Sequence, residues 1–361
     1  MITGRSAAWL ARLPWAQKVA SSNLAAPTIL LIGFLFLSGC ATVGPVVTSR
    51  EIEEAKKELQ IKAFKFKVEK QLAMTRIGLK ILQHLPAEDK KREYPYLGVS
   101  VRNINKFLRE VYDLSPYDRG VVVVGLVHTL PVFESGLQEG DILFKLNGCK
   151  INDTYGLVSM VRHLKPAERV SLTVKRKGEE KVFETTLAKI PVNVSFEVAD
   201  LESVNATASP GRVIVSYGML RFIKSEDELA VVIGHELAHL TKDHIAKNIS
   251  TGILSGVGGV LLGVGAEVLA PGSGQTVSDI SGSAFDARFS RDFEREADYF
   301  GLKYAHLAGY DVEAGKDIWE RFAIEAPRSM TKDLFSTHPS SPERMLRLKK
   351  IAAELKSQGS K

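Results

Sequence analysis

His235, Glu236 and His239 stand together in the stretch Ser225 to His239. A spacing of four puts both imidazoles on one face of a helix, able to grip one ion at ~2.0–2.1 Å per Zn–N bond. Glu236, beside the first histidine, can take a proton from an activated water and later deliver it to a departing amine. Ser225 followed by Glu228 is a capping-box pattern, and the apolar run after it predicts a buried helix that carries all three residues.

A catalytic zinc needs a third protein ligand and an open position. Downstream, Phe289 to Gly301 reads as a helix with several carboxylates. Glu294 and Asp298 share a face by their i, i+4 spacing, and Ala297 and Gly301 on about that side permit close approach to the first helix. The expected ligand set for one Zn2+ per chain is therefore His235, His239 and Glu294. Asp298 is expected to orient a ligating imidazole, and Glu296, on another side of the helix, to be a solvated acid. Much of the chain between the second and third ligands is Gly-rich, and Ile253 to Ala270 carries one charge, Glu267. Residues 252–284 read as a flap over the site or a buried helical pair, with a membrane-dipping hairpin as the alternative.

These strings, with Ser336-Thr337-His338-Pro339 and Arg344, resemble the zinc peptidase family that includes HtpX, BepA and the CAAX prenyl endoprotease, from Phe196 to the end. The resemblance implies a gluzincin active site with endopeptidase activity. It also implies a sheet edge at Asn205 and Ala206 that holds substrate backbone by strand pairing. His338 would lie near the open metal position, either donating to the oxyanion or occluding zinc at rest. Arg344 would support the oxyanion or the substrate.

Such a site needs a scaffold, and 361 residues with 45% hydrophobic and 25% charged side chains suffice for two or three units, each with its own core. The expected class is α+β: a β-rich domain at 94–190, then a mainly helical zincin-type domain with a small sheet at 191–361. Val121 to Val127, Ile142 to Leu146 and Val170 to Lys175 read as strands, and Tyr155 to Leu164 as a helix. Tyr96-Leu97-Gly98-Val99, the run Ser135 to Leu143 and Asn147-Gly148 together resemble a PDZ domain of the bacterial HtrA-like kind. That resemblance implies capture of an extended peptide C-terminus, with Leu97, Gly98 and Val99 as the carboxylate loop and the 155–164 helix as the facing wall.

Residues 1–39 read as a targeting segment with a basic start and an apolar run, Thr28 to Leu37. Leu37-Ser38-Gly39-Cys40 resembles the lipobox of bacterial lipoproteins, which implies acylation at Cys40 and a mature chain anchored to a membrane. An uncleaved anchor is the alternative. Ala41 favours the outer membrane, facing the periplasm. Residues 40–93 read as a helical segment whose apolar face is Ile52, Ala55, Leu59, Ala63 and Phe66, ending near Pro86. Only Cys149 remains once Cys40 is used, so the mature chain has no internal disulfide. The formal charge of +6 lacks the concentrated basic face that nucleic acid needs.

The leading expectation is a lipid-anchored envelope endopeptidase acting on polypeptides, with unfolded outer-membrane proteins among its candidate substrates, and with oligomerisation open. Its rival is a PDZ-based adaptor or chaperone with little intrinsic proteolysis. A membrane-embedded prenyl or signal-peptide protease would need several long apolar spans, which the sequence lacks.

Overall fold

The computed structural model describes residues 45, 47–250, 289–325 and 342–359. Cys40, the 252–284 stretch and His338 lie outside the described residues. The chain divides into two compact units, Met1–Leu59 and Gln60–Lys361. In the first unit the described residues are mainly the opening turns of α1 (Ser49–Gln83), where Arg50 pairs with Glu54 at 2.8 Å.

The apolar face expected of α1 is not its buried face. Ile52, Leu59 and Phe66 are exposed, as are Ala55 and Ala63. Burial begins at Val68 and continues through Met74, Ile77, Ile81 and Leu82. A periodic stripe names a face without naming its partner. Only from Phe64 onward does α1 meet a sheet, where Val68 packs with Val122 and Val124.

From Tyr94 the chain runs through β1 (Tyr94–Tyr96), β2 (Val99–Asn103), α2 (Lys106–Tyr112), β3 (Val121–Leu126), α3 (Pro131–Glu134), β4 (Ile142–Leu146), β5 (Cys149–Lys150), α4 (Thr154–Arg162), β6 (Arg169–Arg176), β7 (Glu179–Thr186) and β8 (Ala188–Ile190). The sheet order is β2-β3-β4-β6-β7 with β5 on β4, and a separate β1–β8 ladder joins the two ends of this region. Asn147 and Gly148, with φ of 49° and 78°, make the two-residue loop between β4 and β5. Two successive positive φ values match the twist of a tight hairpin.

The remainder comprises β9 (Ser195–Ala199), β10 (Ala206–Ser209), β11 (Arg212–Ser216), α5 (Tyr217–Phe222), α6 (Glu226–Thr241), α7 (His244–Ser250), α8 (Arg291–Leu307), α9 (Ala314–Glu325) and α10 (Pro342–Gly359). Its small sheet has the order β10-β11-β9, with β9 parallel and β10 antiparallel to β11. The molecule is thus α+β, β-rich first and mainly helical afterwards.

One contiguous apolar core runs from Met74 of α1 through Val123 and Leu172 to Leu237 and Tyr304. Inside it α6 and α8 meet backbone to backbone. A Cβ at Gly234 would stand 2.5 Å from Gly301 O, and one at Gly301 would stand 2.6 Å from His235 N. Both glycines are therefore needed for this approach, which brings the expected ligands His235 and His239 of α6 and Glu294 of α8 together. Among the described residues no helix is long and apolar enough to cross a membrane.

Candidate active site

Helix α6 starts where Ser225 Oγ accepts from Glu228 N–H at 3.2 Å. The reciprocal arm of the cap is shifted by one residue, since Glu228 Oε2 accepts from Lys224 N–H at 2.8 Å and Glu228 also pairs with Arg321. Helix α8 starts on Ser290, whose hydroxyl accepts from Phe293 N–H at 3.2 Å. These caps fix two helix starts from which His235, His239 and Glu294 converge.

His235 Nε2 is 3.1 Å from His239 Nε2, and Glu294 places Oε1 3.4 Å from His239 Nε2 and Oε2 3.5 Å from His235 Nε2. Tetrahedral ligation at ~2.0–2.1 Å per bond separates ligand atoms by about 3.3 Å, so the three donors fit a single metal ion. All three side chains are buried, and they are the one such cluster among the described residues. Glu236 is also buried and lines a small apolar cavity with Met219, Val232, Trp319 and Leu348.

Each imidazole is held from behind. Asp298 Oδ1 lies 3.1 Å from His235 Nδ1. Arg344 straddles that carboxylate, donating from Nη2 to Oδ1 at 2.6 Å and from Nε to Oδ2 at 2.9 Å, and its Nη1 is 3.3 Å from Glu294 Oε2. The guanidinium also lies over Trp319, 3.8 Å from the ring centroid. Arg344 is 4% exposed, so the structure gives it to two carboxylates inside the protein. Burial depresses the His235 pKa, but the hydrogen bonds to Asp298 and Glu294 outweigh it and push it up to about 9.

His239 Nδ1 is 3.0 Å from His244 Nδ1, and His244 Nε2 is 3.0 Å from Glu296 Oε2. Glu296 therefore differs from the solvated acid expected of it. It is partly exposed, but its carboxylate reaches inward to a fully buried histidine. Phe293 stacks on His244 at 4.4 Å and Phe289 on His239 at 3.8 Å between ring centroids. His244 escaped the sequence reading because a spacing of five falls off the helical face. Asp243, with φ of 58°, breaks the chain between α6 and α7, and the next residue swings back under His239.

The remaining expected residues are placed as follows. Asn205 precedes β10, an outer strand of the small sheet, and its carbonyl accepts from Ser216 N–H at 2.9 Å. Its side-chain Oδ1 accepts from Ala206 N–H at 2.9 Å. Ala206 also lines the cavity beside Glu236. Leu97, Gly98 and Val99 lie at the start of β2, with Gly98 at φ 80°. They share a second, larger cavity with Leu157 and Val161 of α4.

Comparison with known proteins places these features. Residues 169–352, just over half of the chain, match Peptidase family M48, and residues 95–187 match the PDZ domain. A mitochondrial metalloendopeptidase OMA1 of Schizosaccharomyces pombe is 37% identical over 153 residues, 42% of this chain and 44% of its own. A putative beta-barrel assembly-enhancing protease of Vibrio cholerae is 30% identical over 161 residues, 42% of this chain and 32% of its own. A probable periplasmic serine endoprotease, DegP-like, of Ectopseudomonas mendocina is 32% identical over 117 residues, 32% of this chain and 24% of its own. The chain thus spans less than half the length of each of these relatives. With a cluster on α6 and α8 that could hold a metal ion and a PDZ match ahead of it, the chain belongs to peptidase family M48.

Proposed function

We propose that the chain is a zinc-dependent endopeptidase of the bacterial cell envelope that cleaves misfolded or unassembled polypeptides. The observation that carries this reading is the convergence of His235, His239 and Glu294 at tetrahedral ligand spacing, with the Glu236 carboxylate buried beside them. A two-histidine, one-carboxylate set suits zinc. Zinc bound there supplies Lewis-acid polarisation of a scissile carbonyl and a lowered water pKa.

The chain's own residues do the rest. Glu236 accepts the water proton on its carboxylate and passes it to the leaving nitrogen. Asp298 and His244 each hold one ligating ring in a single orientation. Because Asn205 faces β11, strand alternation turns the Ala206 carbonyl and the Ala208 backbone to the outer edge of β10, where an extended substrate can pair, while the Ala206 N–H stays with Asn205 Oδ1. The apolar cavity beside Glu236 takes a side chain next to the scissile bond. His338 is proposed as a donor or gate at the open metal position. Arg344, which meets Asp298 and Glu294, acts on the substrate only through them.

The PDZ domain, with limits near 94 and 190 where β1 meets β8, binds extended peptides or C-termini through Leu97, Gly98 and Val99. Acylation of Cys40, outer-membrane attachment and outer-membrane-protein substrates complete the proposal. A probable periplasmic serine endoprotease and a putative beta-barrel assembly-enhancing protease among the relatives support that setting. Casein digestion by wild type and Glu236→Gln, with zinc measured in both, tests the enzymatic reading. Equal cleavage by the two proteins would reject it.

A further inference from the structure

Strands β2 and β9 belong to different sheets, yet both line one cavity. β2 ends the order β2-β3-β4-β6-β7 and β9 ends the order β10-β11-β9, so among the described residues each has a ladder edge with no strand on it. The cavity between them is about 290 Å³. Leu157 and Val161 of α4 form one wall, and Phe64 and Val68 of α1 form the wall opposite.

The backbone around this cavity is aimed into it. Gly98 O accepts from Val127 N–H at 3.0 Å, and Ser195 N–H donates to Gly211 O at 3.0 Å, so these two residues face their own sheets. Backbone groups alternate sides along a strand, which turns Val99 on one side and Phe196 and Val198 on the other toward the cavity. An occupant with its own alternating N–H and C=O groups, an extended polypeptide, satisfies both edges. Its side chains would point alternately to α4 and to α1.

Charge on the walls favours one end of such a chain. Lys67 and Asp200 neutralise each other at 2.7 Å. Arg102 and Arg212 then share the single carboxylate of Glu197, which Arg212 approaches at 3.6 Å. Arg162 is close enough to Arg212 for the two cations to oppose each other. The excess is positive and suits a chain terminus that carries a carboxylate.

We propose that this cavity takes the free C-terminus of an extended polypeptide as a strand between β2 and β9, so that one ligand is held by the PDZ domain and by the peptidase sheet at once. The proposal rests on the PDZ reading above and extends it. In that reading alone the ligand pairs with β2 only. With β9 as its second neighbour, the ligand joins the sheet that contains β10, three strands away.

The test uses the full chain carrying Glu236→Gln, which protects the probe from cleavage, and fluorescence anisotropy of a short fluorescein-labelled peptide ending in a free valine carboxylate. The same peptide as a C-terminal amide is the control. Two further probes carry N-methyl groups on alternate backbone nitrogens, in opposite phases, each blocking one edge of the ligand strand. Binding of the free acid, weaker binding of the amide, and a loss of at least about threefold with either methylation phase are expected. Loss with only one phase means pairing with β2 alone and overturns the bridge while keeping the PDZ reading. No saturable binding of the free acid overturns both. Val198→Pro checks the same point from the protein side, because it removes an N–H that faces the cavity and leaves the β9–β11 ladder intact. A folded Val198→Pro protein that binds as tightly as its parent contradicts the bridge. Neither readout depends on catalysis, so either result is separable from failure of the peptidase reading.

Discussion

The Nδ1 atoms of His239 and His244 lie 3.0 Å apart in a buried site, and that contact fixes which nitrogen of each ring carries a proton. His244 Nε2–H donates to the Glu296 carboxylate, so its Nδ1 accepts from His239 Nδ1–H. His239 Nε2 is left with its lone pair toward His235 and Glu294. Loss of such a support costs metal sites about 10–100-fold in affinity. His244→Ala is therefore expected to lower zinc affinity by at least about tenfold in a chelator competition, and Glu296→Gln by less. Unchanged affinity in His244→Ala would assign the contact to packing alone.

Arg344 and Asp298 form the second support, and here stability is also at stake. Both are almost fully buried, so removing Arg344 leaves two buried carboxylates, Asp298 and Glu294, without their shared guanidinium. Arg344→Ala is expected to cost about 3–5 kcal/mol in urea unfolding of the metal-free protein. Arg344→Met with Asp298→Asn should recover part of that stability, because one of the two carboxylates that lose the guanidinium is then neutral, while zinc affinity stays low.

Protonation of His235 gives a pH dependence of definite sign. Its pKa rises from 6.5 to about 9, so its proton is bound more tightly in the fold than in the unfolded chain. The resulting stabilisation is complete below pH 6.5 and lost as pH rises through about 9. The thermal midpoint of the metal-free protein should fall across that window. Zinc uptake in the same window should release a proton, visible as a buffer-dependent heat in calorimetry, and affinity should climb with pH until about 9. A flat midpoint with no proton release would contradict this.

The close approach of Gly234 and Gly301 predicts the effect of a single methyl group. Gly301→Ala would put Cβ against the backbone of His235, forcing α6 and α8 apart. A loss of about 1–3 kcal/mol is expected, together with weaker zinc binding because Glu294 retreats from the histidines. Gly148→Ala, which meets no heavy atom within 4 Å, should leave zinc binding untouched.

The parts of this site that were legible in the sequence were local. The spacing of His235, Glu236 and His239, the cap at Ser225, and the Asn147-Gly148 turn depend on neighbours within a turn. Glu294 and Asp298 were readable for the same reason, since one helix carries both. His244 and Glu296 were not, because their pairing depends on a break at Asp243 and on how α7 returns against α8. The buried face of α1 was misassigned because Ile52, Leu59 and Phe66 repeat correctly but have no partner sheet, whereas Val68 to Leu82 do. The cavity between β2 and β9 joins residues that only tertiary packing brings together.

Proteolysis of reduced casein in heavy-oxygen water, followed by mass spectrometry, tests the central claim most directly. Wild type and Glu236→Gln are compared after both are shown to hold one zinc. The account predicts internal fragments whose new C-termini carry one heavy oxygen in the wild type, and none above background in Glu236→Gln. Labelled fragments formed equally by both proteins would contradict it.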